Sequence, residues 1–291
     1  MSSNLLVSVC MITYGHEKYI REAIEGVLMQ ECDFEIELIL SNDCSPDQTD
    51  DIIHDILANH PKASWIKYYN HDRNIGMMPN FVFALQQCQC EYIALCEGDD
   101  YWTDPLKLQK QVDILEANPN LVGCFHNSEE RYWNDYSKAS SLFVSFPSAR
   151  EITIKDLTQY NMIPTASIVF KSPLPSELIT KEFATLPMGD WPLHLLNTRK
   201  GNYFYLPQVM SVRNLNPNSV WGMREQKINV AHMICAYKML IDSCWLKQEV
   251  VDLLNIGCKN LENNLLPRKD SEYLSLKKRM INKIISVLKK I

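Results

Sequence analysis

Continuous apolar runs alternate with amphipathic stretches along the first half of the chain. Leu5 to Ile12 carries no charge and ends at Thr13-Tyr14-Gly15-His16, the pattern of a strand buried on both faces. Ile20, Ala23, Ile24, Val27 and Leu28 then recur at helical spacing. Ile36 to Leu40 predicts a second strand, closed by Ser41-Asn42-Asp43, and Ile52, Ile53, Ile56 and Leu57 a second helix that stops near Pro61. The same reading gives strands at Trp65–Tyr69 and Tyr92–Cys96 around a helix at Asn80–Gln87, whose first residue reads equally as its N-cap. A helix follows from about Leu106 to Ala117, then strands at Leu121–His126 and Ala166–Phe170. The intervening Asn127–Ser148 is polar and aromatic without a clear period, and reads as an irregular excursion beside the site. Asp190-Trp191-Pro192 opens a short helix, with Asp190 as its cap, and Gly201 closes it. Pro207 relegates the strand at Tyr203–Val212 to a sheet edge, and from about Glu225 only helical patterns remain.

Strands alternating with helices imply βαβ units and a mostly parallel sheet covered on both faces. Right-handed crossovers bring the strands' C-terminal ends to one edge, where ligands of such sheets bind. Thr13-Tyr14, Asn42-Asp43 and Asp99-Asp100 all fall at such ends. The expected organisation is a catalytic domain over residues 1–222, with a nucleotide-binding half (about 1–102) and an acceptor half (about 103–222). A helical extension, 223–291, follows.

Charge narrows the ligand classes. A formal net charge of -6 argues against nucleic acid as a partner. An anionic substrate would need a local cationic device. The ten cysteines include no C-x-x-C pair, so buried thiols in a reducing cytoplasm are expected rather than zinc or disulfides. No signal peptide or membrane span is expected. Leu276, Met280, Ile281, Ile284, Ile285 and Leu288 lie opposite a Lys- and Arg-rich face in 274–291, a pattern that suits either a helix docked on the domain or peripheral contact with an anionic membrane.

Glu97-Gly98-Asp99-Asp100-Tyr101-Trp102 carries the most chemistry. Two adjacent carboxylates after a buried strand are costly to ionise alone, and a divalent cation with waters and a phosphate is the simplest partner. No G-x-G-x-x-G follows the first strand, which excludes a dinucleotide fingerprint, and no Gly- and Arg-rich loop of a sugar nucleotidyltransferase stands there.

In order and spacing, Val7 to Gly15, Ser41 to Thr49, Asn74 to Phe81 and Glu97 to Trp102 resemble the family 2 glycosyltransferases of bacterial surface-polysaccharide type, over roughly Leu6 to Val212. The resemblance implies the A-type glycosyltransferase fold and metal-dependent, inverting sugar transfer. The donor would be a nucleotide-diphospho-sugar, with a UDP-sugar the first expectation, and the acceptor a glycan or lipid-linked saccharide. It implies that Thr13 and Tyr14 line the nucleotide pocket, that Asp43 accepts a hydrogen bond from the base, and that Asn74 and Asn80, both counted with the nucleotide-sugar site, bracket the helix that flanks the donor. Asp99 would hold the ribose or a metal-bound water, Asp100 would ligate Mn²⁺ or Mg²⁺, and Asp190 would be the general base. Arg213 would meet the diphosphate; Leu215 stands where many relatives carry a His, and Trp221 falls in the loop that would close over the donor. Trp102, Trp191 and His126 are weaker candidates for contact with the acceptor. The alternative on the same scaffold is a non-catalytic sugar-nucleotide- or glycan-binding protein.

Overall fold

The computed structural model describes residues 5–133, 137–215 and 226–265. Trp221 and the 274–291 segment lie outside the described residues.

The first half runs β1 (Leu5–Thr13), α1 (Ile20–Leu28), β2 (Glu35–Asn42), α2 (Thr49–Asn59), β3 (Ile66–Asn70), α3 (Met77–Gln87), β4 (Tyr92–Leu95), β5 (Tyr101–Trp102) and α4 (Lys107–Ala117). The remainder runs β6 (Leu121–Tyr132), β7 (Ser141–Leu142), β8 (Arg150–Ile152), α5 (Ile154–Leu157), β9 (Val169–Lys171), α6 (Asp190–Asn197), β10 (Asn202–Leu215), α7 (Gln226–Asp242) and α8 (Gln248–Leu265). One sheet joins them in the order β3-β2-β1-β4-β9-β6-β10-β5, with β7 beside β6 and β8 beside β10. The β1–β2, β2–β3, β1–β4 and β6–β10 pairs are parallel, whereas β9 is antiparallel to both β4 and β6. Together they form an A-type glycosyltransferase fold.

Both faces of the sheet are buried. Val7, Val9 and Met11 pack with Ile20, Ala23, Ile24 and Val27 of α1, while Cys10 belongs to the cluster that holds Phe81, Phe125 and Trp191. That second cluster continues into α7 and α8 through Ile234, Tyr237, Leu240 and Leu254, so the C-terminal helices share the core of the catalytic body. The Tyr237 hydroxyl meets the carbonyls of Thr158 (3.0 Å) and Gln159 (2.6 Å) and fixes this docking. No helix among the described residues is long and apolar enough to cross a membrane.

Three expectations from the sequence need correction. β10 is no edge: it pairs with β6 on one side and with β5 and β8 on the other. Pro207 falls in the register shift between Leu206 and Val209, where the ladder needs no donor from it. The stretch read as irregular from Asn127 continues β6 to Tyr132 and returns as β7. Asn80 is no cap, because α3 begins at Met77 after Gly76, whose φ of 97° suits glycine.

Lys107, the first residue of α4, is fully buried. Its ammonium lies 2.8 Å from Gln111 Oε1 and 4.0 Å from the Trp102 ring centroid. Burial drives its pKa down to about 7.

Candidate active site

Backbone hydrogen bonds gather the strand ends. Asp43 N–H donates to Thr13 O (3.0 Å), and Gly98 N–H to Ile12 O (3.0 Å). A Cβ on Gly98 would lie 2.7 Å from Thr13 Oγ1 and 3.0 Å from His16 Nδ1, so only glycine lets the acidic turn come this close to β1. The far side of the turn is held by β5 against Ser211 and Val212 of β10 and by Asn214. Asn214 N–H donates to Asp100 Oδ1 (3.0 Å), and its side-chain amide to Asp99 O (2.7 Å).

The resulting cavity, about 530 Å³, takes in Thr13, Tyr14, Asp43, Asn74, Asn80, Asp99, Asp100, Asp190 and Arg213. These are the nine site residues named from the sequence other than the weak acceptor candidates. Tyr14 presents a half-exposed ring, and Thr13 Oγ1 is buried with no hydrogen-bond partner among the described residues. Asp43 already has structural work: its two oxygens accept from Ile75 N (2.7 Å) and Gly76 N (2.9 Å), which sets the entry to α3. Asn80 exchanges hydrogen bonds with Ser41, donating to its carbonyl and accepting from its hydroxyl. Arg213 pairs with Glu130 at 2.7 Å, and its guanidinium carbon stands 5.5 Å from the Phe143 ring.

Trp102, Trp191 and His126 do not reach the cavity. Trp102 donates its indole N–H to Ala166 O (2.7 Å), and Trp191 donates to Leu157 O (2.8 Å); both rings are sealed in the core. His126 is wholly buried beside Asn127 O, and burial holds its pKa well below the ordinary value, so it is neutral. Such side chains cannot stack on a sugar.

Several lining residues that bear on the chemistry escaped assignment from the sequence. Glu97 belongs to the acidic turn, Asn214 follows Arg213, His16 Nε2 stands 3.9 Å from Asp99, and Asn161 donates to Asp190 Oδ2 at 2.8 Å. Asp99 stands close enough to Glu97 and Asp100 to raise the proton affinity of both. Burial first, and then the charge of Asp99, push the Glu97 and Asp100 carboxyls well above the usual range, with Arg213 opposing. Asp190 is the first residue of α6, with Gly189 rather than itself at the cap. Burial raises its pKa, while bonds from the Trp191 backbone, Asn161 and Thr165 partly restrain the rise.

The profile described as "Glycosyl transferase family 2" matches residues 8–175, more than half of the chain. The chain belongs to glycosyltransferase family 2. An uncharacterised protein of Mycobacterium tuberculosis is 36% identical over 215 residues, covering 74% of this chain and 60% of that protein. The chain thus spans less than two thirds of the length of this relative. Among solved structures, Staphylococcus aureus TarS residues 1–349 in complex with UDP-GlcNAc aligns with a TM-score of 0.63 and 16% identity, covering 98% of this chain and 82% of that one. A mannosyltransferase from Pyrobaculum calidifontis in complex with GDP-Man and Mn²⁺ aligns at 0.61 and 12%, covering 98% and 81%. At these identities the structural matches concern the fold.

Proposed function

We propose that this family 2 enzyme transfers a sugar, with inversion, from a nucleotide-diphospho-sugar to an acceptor hydroxyl in surface-polysaccharide assembly. The observation that carries the proposal is the meeting of the acidic turn and Asp190 in one cavity at the ligand edge of the sheet. The solved complexes with UDP-GlcNAc and with GDP-Man and Mn²⁺ support a nucleotide-sugar donor, with a UDP-sugar tried first.

Tyr14 stacks on the base, beside Thr13 and Asn74. Asp43 has oxygen lone pairs beyond those used by Ile75 and Gly76, and a base N–H takes one of them. Asn80 keeps the end of β2 in register with α3 through its bonds to Ser41. The buried, mutually repelling carboxylates of the acidic turn fit a hard divalent cation, Mn²⁺ or Mg²⁺. Asp100 would hold it, with Asp99 on the ribose or a bound water. No group of three side-chain ligands is assembled among the described residues, so the diphosphate and waters would complete the shell. When bound, the cation would neutralise charge on the departing diphosphate. Arg213 adds a second positive charge on that side.

Asp190 accepts the proton of the acceptor hydroxyl. The acceptor oxygen then bonds to the anomeric carbon while the bond from that carbon to the phosphate oxygen breaks, and the electron pair leaves with the nucleoside diphosphate. A carboxylate made more basic by burial suits this step. Asn161 and Thr165 orient it by donating to one of its oxygens, Oδ2.

A thermal-shift series with nucleotide-sugars, with and without Mn²⁺, tests the proposal. Stabilisation that requires both is expected. Asp190→Asn should lower transfer by about 10²–10⁴-fold and leave that stabilisation intact. Stabilisation by no nucleotide, or transfer by the variant at the wild-type rate, contradicts the reading.

A further inference from the structure

The cavity has two unlike linings. Thr13, Asp43, the acidic turn and Arg213 supply a polar lining. Much of the remainder is hydrocarbon and thioether: Met77, Met78 and Phe81 of α3, and Met188 just before α6. Val230 and Met233 of α7 and Leu261 of α8 complete it, contributed by the C-terminal helices beyond the family-matched 8–175 region.

This apolar lining converges on Asp190. A Cβ on Gly189, the neighbour of Asp190, would meet the Phe81 ring at 2.6 Å and Met78 Cε at 3.1 Å. On another side, Asn161 holds Asp190 and lies between Tyr160 and Ile163, which both line the cavity. The same segment is where α7 and α8 dock, through Tyr237 and through Gly257, whose Cβ would lie 2.3 Å from Thr158 O.

A nucleotide-diphospho-sugar has little use for such a surface. Its base, ribose and phosphates find partners on the polar lining, and sugar hydroxyls pressed against Met, Val and Leu would lose water hydrogen bonds without replacement. Hydrocarbon on the same surface gains free energy for each methylene it buries. Unbranched methionine side chains adapt to a flexible chain better than rigid residues do. Resting on the reading of this site as a glycosyltransferase centre, we propose that the acceptor carries a hydrocarbon chain next to its reactive hydroxyl. The Met-rich lining formed with α7 and α8 receives that chain.

The test uses the full chain with UDP and Mn²⁺ present and a series of alkyl β-D-glucosides, from methyl through butyl to octyl, below micelle-forming concentrations. Binding is followed by calorimetry. Each buried methylene is worth up to about fourfold in affinity, so octyl glucoside should bind at least about tenfold more tightly than methyl glucoside. Met233→Glu should abolish that difference while the UDP–Mn²⁺ stabilisation persists. Should that variant fail to fold, Val230→Ala with Met233→Ala should reduce it. Equal affinities for methyl and octyl glucoside, a gain that ends before butyl, or an octyl preference untouched by these variants overturns the acceptor class alone. Loss of UDP–Mn²⁺ stabilisation in the wild-type protein would overturn the glycosyltransferase reading instead.

Discussion

At Asp100 the N–H of Asn214 favours the charged carboxylate, while burial and Asp99 disfavour it, and the net pKa is raised. The sign of its effect on stability follows. Between the unfolded pKa and the raised folded one, the folded chain binds more protons than the unfolded chain, so this group's contribution fades as pH rises. Asp100→Asn should therefore raise the melting temperature of the ligand-free protein above the ordinary carboxylate range. The gain should be about 2–4 °C for each kcal/mol of relieved repulsion, and Mn²⁺-dependent stabilisation should disappear. Scanning calorimetry at several pH values checks both. At Asp190 the bond from Asn161 favours the charged base, so Asn161→Ala should lift its pKa further. The acid limb of the rate profile then moves to higher pH, and the loss of rate is confined to that limb. An unmoved limb would mean that Asn161 does not act through Asp190. The carboxylates were legible from the sequence because each follows a recognisable strand or opens a helix. Asn161 was not, since it lies in irregular chain and meets Asp190 only through the fold.

Between elements, the tightest contact at the site is the acidic turn against the end of β1. Gly98→Ala would drive a methyl group into Thr13, the turn would have to retreat, and nucleotide-sugar transfer should fall on the order of 10²-fold with the overall fold retained. Kinetics beside a circular dichroism spectrum would reveal this; wild-type rates would show that the turn can shift freely. The alternation of runs made β1 to β4 and their helices readable from sequence, because strands buried on both faces have a clear signature. β10 was misread because a proline in a strand is assigned by default to an edge, and only the pairing register reveals a bulge beside β6. Trp102 and Trp191 misled for a related reason. An indole beside a motif looks available for stacking until its N–H is found on the carbonyls of Ala166 and Leu157.

Over the whole molecule, the single sheet and the shared core make α7 and α8 part of the catalytic body. Tyr237→Phe should lower stability by about 1 kcal/mol, read as a lower denaturation midpoint at unchanged m-value. It should also weaken octyl glucoside binding more than UDP binding, because the helices it secures line only part of the cavity. Equal losses for both ligands would assign Tyr237 a purely global role.

Lys107 beneath Trp102 gives the molecule a built-in clock. With a pKa of about 7 its amine is largely neutral, and so chemically ready, in mildly alkaline buffer, yet it is sealed from reagents. Surface lysines would be acylated at once; this one can react only when α4 lifts away from the strand that follows Asp100. The rate at which mass accumulates on Lys107 therefore times the breathing of the layer under the acidic turn, and a ligand that braces the turn should slow it.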